Sequence, residues 1–182
     1  MSSRTAFVSC VVLMVVGLGA AVRAETPNQA FNGRIMLSAK RFPQSASSAS
    51  AYTAQIRKQS IATFAENKES HSFKIFFAGF LKAPLNDLEY AIKIYDVSGK
   101  GSQLLVTFEQ YTSARGQQSI ISDMTLEKKA VGVNKELLMT MESKGKVLAS
   151  SKFKITGEGE HFTGKVDFSE DEANGGKTSD DN

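Results

Sequence analysis

His71-Ser-Phe-Lys-Ile-Phe-Phe-Ala-Gly-Phe-Leu-Lys-Ala-Pro-Leu-Asn-Asp-Leu-Glu-Tyr-Ala-Ile-Lys-Ile-Tyr-Asp-Val97 is the stretch that decides the fold class. Two runs rich in aromatic and β-branched residues flank Pro84, Asn86 and Asp87, a pattern that predicts an antiparallel hairpin. In the first run Phe73, Ile75, Phe77, Gly79 and Leu81 fall on one face, and Lys74, Phe76, Ala78 and Phe80 on the other. Both faces are apolar from Ile75 to Leu81, so this strand needs cover on two sides. In the second run Leu88, Tyr90, Ile92 and Ile94 alternate with Glu89, Ala91 and Lys93, the pattern of a half-buried strand.

Downstream, short alternating segments are separated by turn residues. Ser98-Gly-Lys-Gly101 precedes Gln103–Tyr111, where Leu104, Val106 and Phe108 are expected to point inward. Ser113-Ala-Arg-Gly116 precedes Ser119–Leu126, and Val131-Gly-Val-Asn134 precedes Glu136–Glu142 with Leu137, Met139 and Met141 on one face. Ser143-Lys-Gly-Lys146 is a tight-hairpin signal leading to Val147, Ala149, Phe153 and Ile155. A last strand is expected where Phe162, Gly164, Val166 and Phe168 alternate with Thr163, Lys165 and Asp167. The segment Leu137–Ile155 resembles the closing hairpin of immunoglobulin-like sandwiches, which bears on fold alone.

Upstream, Phe31–Phe42 suits a first strand, with Ile35, Leu37 and Ala39 alternating against Arg34, Met36, Ser38 and Lys40, and Pro43 ends it. Gln44–Ser50 carries no large side chain and reads as a connector. Ser50 is placed to cap a helix over 51–67, whose stripe of Tyr52, Ile56 and Phe64 is the natural second cover for the first run. Ser60–Phe64 also reads as a short strand, so the helix end is the weakest boundary. The sum is a mainly β domain over residues 25–168. Strands separated by regular turn signals predict an antiparallel β-sandwich of seven or eight strands, immunoglobulin-like topology among those allowed, with one N-terminal helix packed on it.

The ends carry different information. Arg4 precedes an apolar, small-residue-rich run, Ala6–Val22, and Val22-Arg23-Ala24 supplies a small-residue site before Glu25. Residues 1–24 thus have the layout of a secretory signal peptide. Cys10, the one cysteine, lies inside it, so the mature chain is expected to have no disulfide and no thiolate metal site. No later stretch is apolar enough to span a bilayer, so the mature chain is not expected to be an integral membrane protein. Residues 169–182 hold five carboxylates, one lysine and no large apolar side chain, the composition of a disordered acidic tail. No Asn-x-Ser/Thr sequon occurs. With the short leader, this favours a bacterial source and a periplasmic or secreted destination.

Charge and chemistry narrow the function. Of 22 Lys and Arg residues, removal of Arg4 and Arg23 leaves 20 against 19 Asp and Glu, too even a balance for a nucleic-acid-binding surface. His71 and His161 are the only histidines, each opening a predicted strand, and no Gly-x-Ser-x-Gly elbow accompanies them. No His-Glu-x-x-His, calcium loop or phosphate loop is present, so no cofactor or metal is assigned. Two clusters remain as candidate sites. Phe73, Phe76, Phe77 and Phe80 line either a core or an apolar ligand cavity. Arg34, Lys40, Arg41, Arg57 and Lys58 form a candidate basic interaction face near the helix. The edge of an open sandwich is also a place where a partner strand can add. The reading is an exported, non-enzymatic binding or structural module that meets another protein or envelope component. Its alternative is a carrier of an apolar small molecule or lipid in the Phe-lined space.

Overall fold

A computed structural model describes residues 25–159. The expected signal segment 1–24, His161, the last strand at 162–168 and the tail at 169–182 lie outside the described residues. The chain is mostly β: α1 (Pro27–Ala30), β1 (Arg34–Ser38), α2 (Ala49–Gln59), β2 (Thr63–Ala65), β3 (Ser72–Leu85), β4 (Glu89–Asp96), β5 (Gln103–Tyr111), β6 (Gln117–Glu127), α3 (Lys128–Val131), β7 (Lys135–Ser143) and β8 (Lys146–Thr156).

The eight strands form one hydrogen-bonded sheet in the order β5-β4-β7-β8-β1-β3-β6, with β2 pairing beside β8. The expected division into two antiparallel sheets, immunoglobulin-like or otherwise, is replaced by a single curled, partly parallel, half-barrel-like sheet. β1 and β2 both run parallel to β8, at Arg34↔Ser150 and at Thr63↔Lys154 to Ala65↔Thr156. All other pairs are antiparallel.

The expected hairpin at 71–97 does not form either. β3 pairs with β1 and β6, and β4 with β5 and β7. Three strands stand between β3 and β4, a separation of about 19 Å in a flat sheet. The link from Leu85 to Glu89 reaches at most about 14 Å. The sheet therefore bends until the two strands face each other across the interior, and the Asn86–Leu88 link is an arch rather than a hairpin turn. Pro84 is tolerated because pairing with β6 is interrupted between Phe80 and Leu85.

The concave face holds the main core: Ile35 and Leu37 from β1, Phe73, Ile75 and Phe77 from β3, Ile92 and Ile94 from β4, Leu137, Met139 and Met141 from β7, and Phe153 and Ile155 from β8. Two bulges shift the expected inward sets. Ile94 pairs with Val106 and Tyr95 with Leu104, so Leu105 is the extra residue; it packs on the core while Leu104 is exposed. The same device in β8 turns Leu148 inward and Val147 outward. The Ser143–Lys146 hairpin forms as expected, with Lys144 and Gly145 both at positive φ as a two-residue primed turn requires.

A second, smaller core lies on the outer face of β1, β3 and β6. There Phe31, Phe42, Ile56, Ala78 and Phe80 pack together, with Met36, Tyr52 and Ile121 at their margin. This is the helix cover that the two-faced β3 requires. The helix is shorter than 51–67: Ser48 caps it by accepting from the Ala51 N–H at 3.1 Å, and it ends at Gln59. Phe64 instead enters the sheet through β2 and meets Phe153 edge to face at 5.8 Å. The β-branched Ile61 and Thr63 favour that extended exit.

Candidate functional site

The cleft beside the C-terminal turn of α2 gathers part of the expected basic face. β1 ends at Ser38, whose Oγ accepts from the Lys40 N–H at 3.0 Å and turns the chain. Phe42 then drops into the outer core and anchors the turn. From the other wall, Gln59 Nε2 donates to the carbonyls of Lys40 at 2.9 Å and Arg41 at 2.8 Å, joining helix end to turn. The Ile61 N–H donates to the Leu37 carbonyl at 2.8 Å, which leaves the Ile61 side chain exposed at the cleft floor.

The open cleft so formed measures about 600 Å³ and is lined by Lys40, Arg41 and Lys58 together with Ala39, Pro43, Gln55 and Ile61. No carboxylate lines it. Arg57 and Lys58 lie in the last turn of α2, where cations oppose the partial negative charge of the helix end. The helix itself contains no acidic residue.

The five expected basic residues do not all converge. Lys40, Arg41 and Lys58 share the cleft. Arg34 lines a neighbouring groove of about 390 Å³ that shares Ile61 with it. Arg57 turns away, its guanidinium 5.6 Å from the centre of the Phe31 ring. Among the described residues none of the five is in an ion pair, whereas Lys74, Lys93, Lys135 and Lys152 on other strands each meet an Asp or Glu, and Lys82, Lys146 and Lys154 do not.

Three of the four phenylalanines are divided between two cores, and Phe76 belongs to neither. Phe73 and Phe77 are in the concave core and Phe80 is under the helices, 5.1 Å from Phe31, all three buried. Phe76 is half-buried on the outer face beneath Lys74, where it borders a groove of about 180 Å³ with Arg41, Phe42 and Asp123. Of the clefts and grooves described here, only the one beside Arg41 and Asp123 is lined by any of the four, and that one by Phe76 alone.

Two buried carboxylates were not singled out by the sequence. Glu66, whose side chain is 4% exposed, accepts from Lys128 at 3.1 Å and meets His71 Nδ1 at 3.1 Å. The His71 contact and then Lys128 hold its carboxyl below the usual range, against the effect of burial. His71, itself at positive φ, thus sits in a charge cluster that ties the start of β3 to α3. Glu142 on the outer face of β7 is held by Lys93 at 2.6 Å, Thr140 at 2.8 Å and Tyr95 at 3.4 Å. Burial pushes its carboxyl up, but these partners outweigh that and the net direction is down. It borders a second cleft of about 570 Å³ with exposed Tyr111, Arg115 and Lys144. There the charges are of both signs and largely satisfy one another, as with Asp87 and Lys144 at 2.8 Å. Nothing in the sequence marks Glu142 out, since β7 also holds Lys135, Glu136, Thr140 and Ser143.

Among the described residues no group of three or more His, Cys, Asp or Glu is arranged to hold a metal ion. No helix among them is long and apolar enough to cross a membrane. No protein family, curated protein or solved structure matches this chain. The reading of function therefore rests on the chain's own geometry.

Proposed function

We propose that this chain is an exported, non-enzymatic binding protein whose basic cleft takes an anionic partner of the bacterial envelope or the extracellular space. The observation that carries the reading is the convergence of Lys40, Arg41 and Lys58 on one cleft without a lining carboxylate. Three exposed cations that converge on one concavity with apolar lining and no carboxylate give an anionic partner a complementary surface. The floor of Ile61, Ala39 and Pro43 suits a ligand that has an apolar portion beside its negative charge.

The test uses the mature full chain with vesicles of phosphatidylglycerol and phosphatidylcholine and with an immobilised sulfated polysaccharide. Retention by at least one anionic surface, weakening as salt rises, is expected. The triple reversal Lys40→Glu/Arg41→Glu/Lys58→Glu should lose at least tenfold in affinity while keeping its circular dichroism. Equal retention of the folded triple variant and the parent would refute the cleft as the site.

A further inference from the structure

Between β1 and β8 the sheet comes open. The two strands pair only at Arg34↔Ser150, although both run on beyond it. The chain leaving α2 wedges into the gap. On one side the Ile61 N–H donates to the Leu37 carbonyl at 2.8 Å, and on the other the Ala62 carbonyl accepts from the Lys154 N–H at 2.8 Å. The wedge leaves the groove of about 390 Å³ walled by Arg34–Leu37, Ser60–Ala62 and Ser150–Lys152. The basic cleft adjoins it along the same two walls, with Ser38–Arg41 following β1 and Gln55, Lys58 and Gln59 coming from α2. Ile61 lines both, so the two concavities form one open track around its exposed side chain.

The track is basic along its length. Exposed Lys40, Arg41 and Lys58 line the cleft, exposed Arg34 and Lys152 line the groove, and no carboxylate lines either. Lys152 meets Glu136 only at 4.0 Å, a contact that a closer anion can replace. Arg34 and Ser38 stand about 13 Å apart along β1, and Lys40 and Arg41 lie beyond Ser38. The cations are therefore strung out, and one anionic head group meets only one end of them. Hydroxyl and amide groups of Ser60, Ser150, Ser151 and Gln55 alternate with small apolar surfaces at Ala39, Pro43 and Ile61. That mixture suits sugar rings, which carry hydroxyls at their edges and C–H groups on their faces. No aromatic ring is among the lining residues, so the platforms on which nucleic-acid bases stack are missing from the track. Its apolar surface is too small and too open to sheathe an acyl chain.

We propose that the track binds a linear anionic polysaccharide, a chain of sugars bearing sulfate or carboxylate groups, laid along β1. Its charges meet Lys40, Arg41 and Lys58 at one end and Arg34 and Lys152 at the other. The inference rests on the reading of the basic cleft as an anion site and names the anion. A short anionic sugar fills the three-cation cleft alone. A longer chain engages both ends, its second contact being made within the complex at high effective concentration. Affinity therefore rises with chain length faster than the number of repeats does.

Calorimetric titration of the mature full chain with a sulfated disaccharide and with an octasaccharide of the same repeat tests this. The octasaccharide should bind about tenfold more tightly per repeat. Arg34→Glu/Lys152→Glu should abolish that advantage and leave disaccharide binding within about twofold of the parent. Arg34→Gln/Lys152→Gln adds no carboxylate to either strand and should lower octasaccharide affinity about threefold. Lys100→Glu/Lys146→Glu, an equal change of charge away from the track, should leave both ligands within about twofold. A parent without the length advantage, or a folded Gln variant that keeps all of it, would overturn the polysaccharide track and leave the cleft reading standing. Disaccharide binding unchanged in the folded triple reversal of the cleft would remove both. Tighter binding of a single-stranded oligonucleotide of equal charge, or of phosphatidylglycerol vesicles, than of the octasaccharide would assign the track to that ligand and refute the proposal.

Discussion

Met141 of β7 lies against Gly79 of β3, so closely that a Cβ at position 79 would stand 2.7 Å from Met141 Cε. β7 and β3 are not neighbours in the sheet, having β8 and β1 between them. The contact crosses the concave interior and shows that side chains fill it. Gly79 belongs there for want of a Cβ rather than for backbone freedom.

Gly79→Ala should therefore cost about 1–2 kcal/mol despite the better strand propensity of alanine, because the methionine end must shift to make room. Shortening the opposing side chain relieves the clash. In a cycle of Gly79→Ala, Met141→Val and the double variant, urea midpoints should give a favourable coupling of at least about 0.5 kcal/mol. Strict additivity would mean that the two residues do not meet.

Phe80 and Phe76 sit four residues apart on the same face of β3 and should respond differently. Phe80→Ala empties a buried position beneath α1 and α2 and is expected to cost about 3–5 kcal/mol. Phe76→Ala removes a half-buried ring and its contact with Lys74, with a loss of about 1 kcal/mol. Denaturant unfolding of both variants measures the difference directly.

Asp96 gives the acid limb of stability a specific source. Lys135 Nζ at 2.8 Å and then the Ser98 N–H at 2.9 Å hold its carboxyl down at about 2. The folded pKa lies below the ordinary value of 3.8, so the stabilisation is fully present above that value and lost as pH falls through about 2. After allowance for solvent screening it is worth about 1 kcal/mol. Asp96→Asn keeps an acceptor for Ser98 but not the charge. Its deficit at pH 7 should shrink toward zero near pH 2, as followed by unfolding at several pH values.

Ser48 sets the start of α2 and so the position of one wall of the cleft. Ser48→Ala leaves the Ala51 N–H without its acceptor and should cost about 1 kcal/mol, whereas Ser48→Asp should restore the cap and complement the helix dipole. Thermal unfolding of the two variants should place Asp at or above the parent and Ala below it.

The sequence made individual strands legible and their partners illegible. Alternation in Phe73–Leu81 and Leu137–Met141 reports which side chains are buried, and those residues are buried in the fold. It does not report which strand lies alongside. The Pro84-Leu-Asn-Asp87 segment has turn composition, which an arch satisfies as well as a hairpin does. Ser143–Lys146 was legible because a two-residue primed turn leaves little choice of partner. The bulges at Leu105 and Leu148 were not, since a bulge is fixed by the neighbouring strand. At the cleft, Lys40, Arg41 and Lys58 were readable as a cluster near a helix, while Arg57 was one helical position too far round to join them.

The arch between β3 and β4 also constrains how quickly the chain reaches this state. Only β4 with β5 and β7 with β8 pair segments that follow one another directly. The remaining antiparallel ladders join positions as distant as Ser38 and Phe76, Asp96 and Leu137, or Phe73 and Leu126. Such non-local pairings incur their loop-closure entropy before they gain contact energy, which places folding in the millisecond-to-second range rather than in microseconds. The two local hairpins are the natural early structures. Until β3 docks, its doubly apolar stretch from Ile75 to Leu81 remains exposed, and this segment is where a folding helper or an aggregation event would first take hold.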